Sequence, residues 1–146
     1  MRATGLLGVT ALVLLLAPAA ADEQGKLDPA KLVGTWTYVS GERDGKKVPD
    51  DHLKATVDIT KQTIALNSSD GKYLIKYELD ASKKPCRISM EITEGPQGQG
   101  AKSDGILELK GDRLKLCYPP MGGDTPTEFT AKEGSGLHLF VLKRKK

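Results

Sequence analysis

The stretch "LVGTWTYVS", residues 32–40, contains the only Trp of this 146-residue chain. Trp36 and Tyr38 are separated by one polar residue, which is the period-two spacing of a half-buried β-strand. Gly34 comes two residues before the Trp. Because this strand begins the patterned part of the chain, we predict that Trp36 closes one end of a β-barrel. The alternative is that Trp36 is an ordinary core aromatic.

The same spacing recurs to the end of the chain and is interrupted by turn residues. Around the turn 110–113, a two-residue hairpin places Leu109 opposite Leu114 and Leu107 opposite Leu116, which creates one apolar face. The predicted strands are 35–40, 54–60, 63–67, 72–79, 86–93, 105–110, 113–118, 128–132 and 137–144.

This pattern predicts an all-β fold. Antiparallel strands protect their edges when the sheet closes on itself. We therefore predict an antiparallel up-and-down β-barrel of about eight to ten short strands, with a two-sheet sandwich as the alternative. One or two short helical turns are predicted near the N-terminus, at 28–32 and 49–53, where an acidic residue stands beside Pro. A single domain accounts for residues 22–146.

The segment 1–21 has the pattern of a secretory signal peptide. Arg2 gives one early positive charge, an apolar run covers residues 5–17, and small residues precede Asp22. The run is shorter than the ~20 residues that span a bilayer, so a retained membrane helix is the weaker alternative. We expect cleavage after Ala21 and export of residues 22–146 to the periplasm or the extracellular medium, without a membrane span.

The charge balance argues against nucleic acid as a partner. The chain has 22 Lys and Arg against 19 Asp and Glu, a formal net charge of +3. A nucleic-acid-binding face must neutralise several phosphates. The basic residues 143–146 are interpreted as a solvated tail, with contact to a membrane surface or a polyanion as the minority alternative. For the oligomeric state, we expect a monomer.

Two features resemble the lipocalin and fatty-acid-binding superfamily. A Gly-x-Trp motif is present at Gly34 and Trp36, and Arg144 ends the last predicted strand. In that superfamily the Arg side chain packs across the Trp ring at the closed end of the barrel. The resemblance therefore implies that these residues form a structural closure. A guanidinium over an indole contributes about 0.5 to 2 kcal/mol.

A closer resemblance covers nearly all of residues 22–146. The chain is similar to a family of small secreted lipocalin-like domains that is abundant in planctomycete bacteria. The segments that carry the likeness are, in order, "LVGTWTYVSGERDGKKVPDD", "ELDASKKPCRISM", "DGILELKGDRLKLCY", "TPTEFTAKEGSG" and "VLKR". No activity is established for that family, so the resemblance implies a fold and export and leaves the chemistry open.

The sequence contains no recognisable catalytic or metal-binding constellation. His52 follows two acidic residues and could serve as a base, but a solvated surface His is the preferred interpretation. His138 shares a strand face with Phe140 and could orient a ligand, although a satisfied barrel-wall His is preferred. The two His and two Cys lack a metal-binding spacing. We predict a protein that is not an enzyme and uses neither cofactor nor metal.

Two function classes remain, because an eight-stranded barrel is either filled by side chains or just wide enough for one small ligand. The preferred hypothesis is an exported module that binds a small apolar or amphipathic ligand. The alternative is an exported interaction or structural domain with a packed interior, acting through its outer face and loops. Loops 94–105 and 118–126 could form a binding rim, with flexible connectors as the preferred interpretation. The candidate lining residues, together with Trp36, are Tyr38, Tyr73, Ile75, Tyr77, Leu107, Leu109, Leu114 and Leu116.

Cys86 and Cys117 form a possible disulfide, because export permits one. However, the predicted hairpin places Cys117 on the face opposite to Leu116, whereas Cys86 shares a face with Ile88. The two side chains then diverge, unless a bulge near Pro85 turns Cys86 over. The sequence leaves both alternatives open.

Overall fold

The computed structural model describes residues 27–120 and 122–146, so the predicted signal peptide lies outside the described residues. Within them the chain forms nine β-strands and two short 3₁₀ helices. The 3₁₀ helices are Pro29–Leu32 and Asp50–Lys54. The strands are β1 (Gly34–Arg43), β2 (Lys46–Lys47), β3 (Thr56–Ile59), β4 (Thr63–Ser68), β5 (Gly71–Asp80), β6 (Cys86–Glu94), β7 (Lys102–Lys110), β8 (Arg113–Tyr118) and β9 (His138–Arg144).

Eight of these strands close into one antiparallel barrel. Each strand from β3 to β8 pairs with the next strand in sequence, and β1 pairs with both β3 and β9. The two-residue strand β2 is an extra strand that pairs with the end of β1. The predicted all-β, up-and-down antiparallel barrel and its short N-terminal helical turns are therefore confirmed, and the sandwich alternative is wrong. None of the helices in the described residues is long and apolar enough to cross a membrane.

The hairpin of β7 and β8 has the register that the sequence predicts. Leu109 lies opposite Leu114, and Leu107 lies opposite Leu116. Gly111 adopts a positive φ of 59° in the turn, a conformation that glycine adopts without steric cost. The apolar face of this hairpin points into the barrel and joins the main hydrophobic core.

The barrel has two different ends. At the closed end, where β1 begins and β9 ends, the first 3₁₀ helix lies beside Trp36, whose side chain is fully buried. The Trp36 Nε1 donates a hydrogen bond of 2.9 Å to the Leu32 carbonyl oxygen of that helix. At the open end, β1 and β8 end while β7 and β9 begin. The single Trp therefore anchors the helix that covers one end.

Arg144 completes the closed end. It is the cross-strand partner of Trp36, and its guanidinium carbon lies 4.4 Å from the centroid of the Trp ring. The same guanidinium donates hydrogen bonds to the carbonyl oxygens of Val33, at 2.9 Å, and Lys31, at 2.8 Å. A Cβ on Gly34, which has a φ of 142°, would lie 2.9 Å from Arg144 Nη1. Glycine at this position thus leaves room for the Arg.

A bulge in β1 changes which residues face inward. The register between β1 and β9 shifts between Tyr38 and Ser40, so that Arg43 lies opposite His138. A bulge inserts one residue and thereby reverses the facing of the residues that follow it. His138 alternates with Phe140 on the inner face of β9, so Arg43 at the end of β1 also belongs to the inner face.

The predicted strand 128–132 is wrong. This segment belongs to the long connection between β8 and β9 and passes over the outside of the barrel. Ala131 is only 1% exposed there, and Cys117 Sγ donates a hydrogen bond of 3.4 Å to the Thr130 carbonyl oxygen. Because β8 is already paired on both sides, it has no free edge for another strand. The segment instead packs against side chains on the outer face of β8.

Cys86 and Cys117 are free thiols in this structure, so the possible disulfide is absent. Cys86 lies opposite Leu107, whereas Cys117 lies opposite Ile106. Neighbouring residues of one strand point to opposite faces, so the two thiols lie on different sides of the sheet. The pairing of β6 with β7 is continuous from Cys86 to Glu91, so no bulge turns Cys86 over. Burial raises the pKa of both thiols.

Candidate functional site

The interior of the barrel contains a cavity of about 140 Å³. All eight barrel strands contribute to its wall, and most of the lining residues are aliphatic or aromatic. A cavity of about 150 Å³ lined by Leu, Ile and Phe is large enough to bind benzene. The barrel is thus closed around a space that fits one ring-sized apolar group.

Five of the nine candidate lining residues line this cavity, and four, including Trp36 at the closed end, do not. Tyr77 is 3% exposed and donates a 2.7 Å hydrogen bond to the Thr60 carbonyl oxygen, so it is part of the core. Tyr73 packs against Gly95, where a Cβ would lie 2.5 Å from the Tyr ring. Leu109 packs against the core without lining the cavity. The five that line it are Tyr38, Ile75, Leu107, Leu114 and Leu116.

Further residues line the interior cavity that were not among the candidates predicted from the sequence. They come from β3, β4, β6, β8 and β9 and share the inner face of those strands. The period-two pattern that predicted the strands could have identified them, because each lies two residues from another inward-facing residue. They include Val57, Ile59, Ile64, Leu66, Met90, Ile92, Tyr118, Phe140 and Leu142.

A cluster of aromatic and polar side chains stands where the cavity meets the open end. We call it the open-end cluster; its members are Arg43, Tyr38, Tyr118, His138 and Phe140. The Phe140 ring centroid lies 5.3 Å from that of Tyr38 and 6.3 Å from that of Tyr118. The His138 ring meets Tyr118 edge-on at 5.4 Å, and the Arg43 guanidinium carbon lies 5.8 Å from the Phe140 centroid.

The two phenols of this cluster stay protonated at neutral pH. Burial raises the pKa of Tyr118 to about 12, although the nearby Arg43 charge acts in the opposite direction. Burial also raises the pKa of Tyr38, and the neighbouring Tyr118 raises it further. Neither hydroxyl makes a hydrogen bond to another residue of the described part of the chain, whereas the hydroxyl of Tyr77 does. Both residues are only half-buried, so two O–H donors lie at this end of the cavity without an acceptor among the described residues.

His138 has the one buried side-chain nitrogen or oxygen atom, within the described residues, that lacks a hydrogen-bond partner. This atom is Nδ1. Burial lowers the pKa of His138, and the positive charge of Arg43 lowers it further. An unpaired buried polar group costs about 1 to 3 kcal/mol. The preferred interpretation of a satisfied barrel-wall His is therefore not what the structure shows.

We expect the free energy of unfolding to fall as the pH is lowered from 7 to 5, with part of the loss due to His138. Its pKa is lower in the folded than in the unfolded protein, so the unfolded chain binds more protons just below pH 6.5 and is favoured there. Urea titrations at several pH values measure this pH dependence, and His138→Gln should lose the part of it that is due to His138. His52→Gln, which removes an exposed histidine, is the matched control. An unchanged pH dependence in His138→Gln would contradict this interpretation.

A second concavity lies on the outside of the barrel. It is lined by the connection between β8 and β9, including residues from Pro119 to Leu137, and measures about 710 Å³. It is more polar than the interior cavity, since Asp124, Glu128 and several Thr line it. This groove corresponds in part to the loop 118–126 that the sequence analysis considered as a rim. The loop at 94–105 contributes Ala101, Lys102 and Ser103 to the interior cavity.

His52 stands apart from both concavities, on the exposed second 3₁₀ helix. No group of three or more His, Cys, Asp or Glu side chains positioned to hold a metal occurs within residues 27–120 and 122–146. The interior cavity with its open-end cluster is therefore the candidate site. The protein is thus a small β-barrel with an apolar interior cavity. No family model, curated protein or solved structure matches the chain.

Proposed function

We propose that this chain is an exported barrel protein that binds one small apolar or amphipathic ligand in its interior. The observation that carries the proposal is the apolar cavity of about 140 Å³. Most native cores contain few voids larger than a water molecule, because an empty space forfeits packing contacts. A retained cavity of this size is consistent with an occupant that restores those contacts.

The position of the cavity supports the same conclusion. The closed end is sealed by Trp36, Arg144 and the first 3₁₀ helix. Toward the open end the wall includes Ala101, Lys102 and Pro120, which belong to or adjoin the loops. An apolar ligand would therefore enter between the loops of the open end. Pockets of this kind occur in the mouths of β-barrels.

Export is part of the proposal and rests on the signal-peptide pattern of residues 1–21. Recovery of the protein outside the cytoplasm with Asp22 as its first residue would support it. The alternative, an interaction or structural domain with a packed interior, is less consistent with the cavity. The outer groove between Pro119 and Leu137 is the surface through which such a domain would act.

Toluene, a ligand close to benzene in size, tests the proposal. We expect saturable one-to-one binding, because the methyl and ring carbons replace lost packing contacts in the cavity. In an NMR titration, the amide signals of Ile75, Leu107 and Leu116 should shift together, while those of residues 127–136 on the outside should not. If toluene, indole and n-hexane all fail to bind saturably, the proposed function is wrong.

A further inference from the structure

We propose that the ligand of the cavity is a small organic carboxylate with a single ring or a short chain. Arg43 and the hydroxyls of Tyr38 and Tyr118 hold its carboxylate at the open end. This inference rests on the proposed function, since it names the chemical class of ligand for the same cavity. The size of the cavity, the positive charge of Arg43 at its open end and the unpartnered hydroxyls beside it support this assignment.

The size of the cavity limits the apolar part of the ligand. A space of about 140 Å³ is comparable to the ~150 Å³ that accommodates benzene. One ring, or an aliphatic chain of similar volume, fills it. A long acyl chain does not fit within it. Any further part of the ligand must therefore extend toward the open end, where the open-end cluster is located.

The wall of the cavity contains no acidic side chain. No Asp or Glu of the described residues lines it, and Lys102, which borders it, is exposed and alternates with the inward-facing Ser103. The hydroxyl of Ser103, which also lines the cavity, already donates a hydrogen bond of 2.5 Å to the Pro119 carbonyl oxygen. The remaining polar side-chain groups of the wall are the hydroxyls of Tyr38 and Tyr118. Such a wall offers a cationic ligand group no oppositely charged partner.

Arg43 places a positive charge at the open end of the cavity. Its guanidinium lies 5.8 Å from the Phe140 ring, which lines the cavity, and the register places Arg43 opposite His138 on the inner face. Arg43 is exposed and forms no ion pair with a described residue. A guanidinium binds a carboxylate through two parallel hydrogen bonds. Arg43 is thus charged, unpaired and directed to the mouth of the cavity.

The two tyrosines supply the remaining donors. Their hydroxyls make no hydrogen bond within the described residues, and their rings are held in place by Phe140 and, for Tyr118, by the edge-on ring of His138. A carboxylate accepts hydrogen bonds from O–H and N–H donors alike. A carboxylate at the open end therefore accepts from Tyr38, Tyr118 and Arg43 together, whereas a purely apolar ligand uses none of these donors.

Phenylacetate and phenylacetamide test the inference, since they share a ring and differ in charge. Titrated separately into the purified protein at ~0.15 M salt, where exposed charges more than about 8 Å apart are largely screened, phenylacetate should bind at least about tenfold more tightly. Arg43→Gln should reduce this preference to less than about threefold, because it weakens the binding of phenylacetate more than that of the uncharged phenylacetamide. Arg113→Gln removes the same charge from an exposed Arg at the closed end, and should retain the preference. Tyr118→Phe should weaken phenylacetate several-fold.

The outcomes separate this inference from the proposed function. If both compounds bind with equal affinity, the anionic ligand class is wrong and the apolar binding function stands. If neither compound nor toluene binds, the proposed function fails and the inference fails with it. If the preference for phenylacetate survives in Arg43→Gln but is lost in Lys102→Gln, the assignment of the carboxylate to Arg43 is overturned.

Discussion

Trp36→Ala is expected to lower the free energy of unfolding by about 3 to 5 kcal/mol, the usual cost of truncating a buried aromatic side chain. Trp36 is fully buried, and the Arg144 guanidinium lies across its ring at 4.4 Å. The truncation also leaves the Leu32 carbonyl oxygen without the indole N–H that it accepts at 2.9 Å. Urea unfolding followed by far-UV circular dichroism measures the change.

The control for this prediction lies on the same strand. Val39 is at the bulge of β1 and is 40% exposed, so Val39→Ala should change the free energy of unfolding by less than about 0.5 kcal/mol. Trp36→Phe retains a ring but removes the N–H donor and should fall between the two. If the free energy of unfolding of Trp36→Ala lies within a few tenths of a kcal/mol of that of the parent protein, the proposed role of Trp36 in closing the barrel is wrong.

Leu116→Trp is expected to weaken toluene binding at least about 100-fold, which corresponds to ~2.7 kcal/mol. Leu116 lines the cavity between Leu107 and Phe140, its partners on the two neighbouring strands. The added ring occupies the space that the ligand needs. Because this space is empty, the larger side chain should cost less than the 1 to 3 kcal/mol typical of overpacking a filled core. Titration calorimetry measures the affinity, and urea unfolding measures the stability.

Val39→Trp is the matched control for Leu116→Trp. It introduces the same side chain on the exposed outer face of the barrel, and should leave toluene binding unchanged. Full toluene affinity in a folded Leu116→Trp protein would place the ligand outside the cavity. If Leu116→Trp does not fold, Leu116→Phe, which adds a smaller side chain, replaces it. The toluene affinity of Leu116→Phe then shows whether binding weakens as the cavity is filled.

Local pairing was predictable from the sequence because its determinants are adjacent in the chain. The turn at Gly111 and the alternation of Leu on both sides of it specify the register of β7 and β8 without reference to other strands. By contrast, the pairing of Trp36 with Arg144 joins residues more than a hundred positions apart. The period-two pattern of a single strand contains no information on such long-range contacts. The contact between Trp36 and Arg144 was expected only from the resemblance to the lipocalin and fatty-acid-binding superfamily.

The lining of the cavity was only partly predictable, because period two identifies the face of a strand but not the depth along it. Ile75 and Tyr77 share the inner face of β5, yet Ile75 lines the cavity while Tyr77 is in the packed core and bonded to Thr60. Leu109 and Leu107 differ in the same way on β7. The depth of each residue along the barrel axis depends on how neighbouring strands are staggered. The pattern within a single strand does not determine this stagger.

The place of Arg43 in the open-end cluster could not be predicted because it depends on a bulge. Strict alternation from Trp36 and Tyr38 would place Glu42 inward and Arg43 outward. The register shift between Tyr38 and Ser40 reverses this, and Arg43 comes to lie opposite His138. The sequence "YVSGER" gives no strong signal of the extra residue. The feature that suggests the ligand chemistry was therefore visible only in the structure.

Xenon binding tests the central claim, a hollow apolar interior, most directly. A crystal of the protein pressurised with xenon should show one strong xenon peak inside the barrel, among Ile75, Leu107 and Leu116, because an apolar cavity of about 140 Å³ is large enough to hold the atom. A barrel whose interior is filled by side chains, with xenon absent from it, would contradict the account and favour a domain that acts through its outer surface.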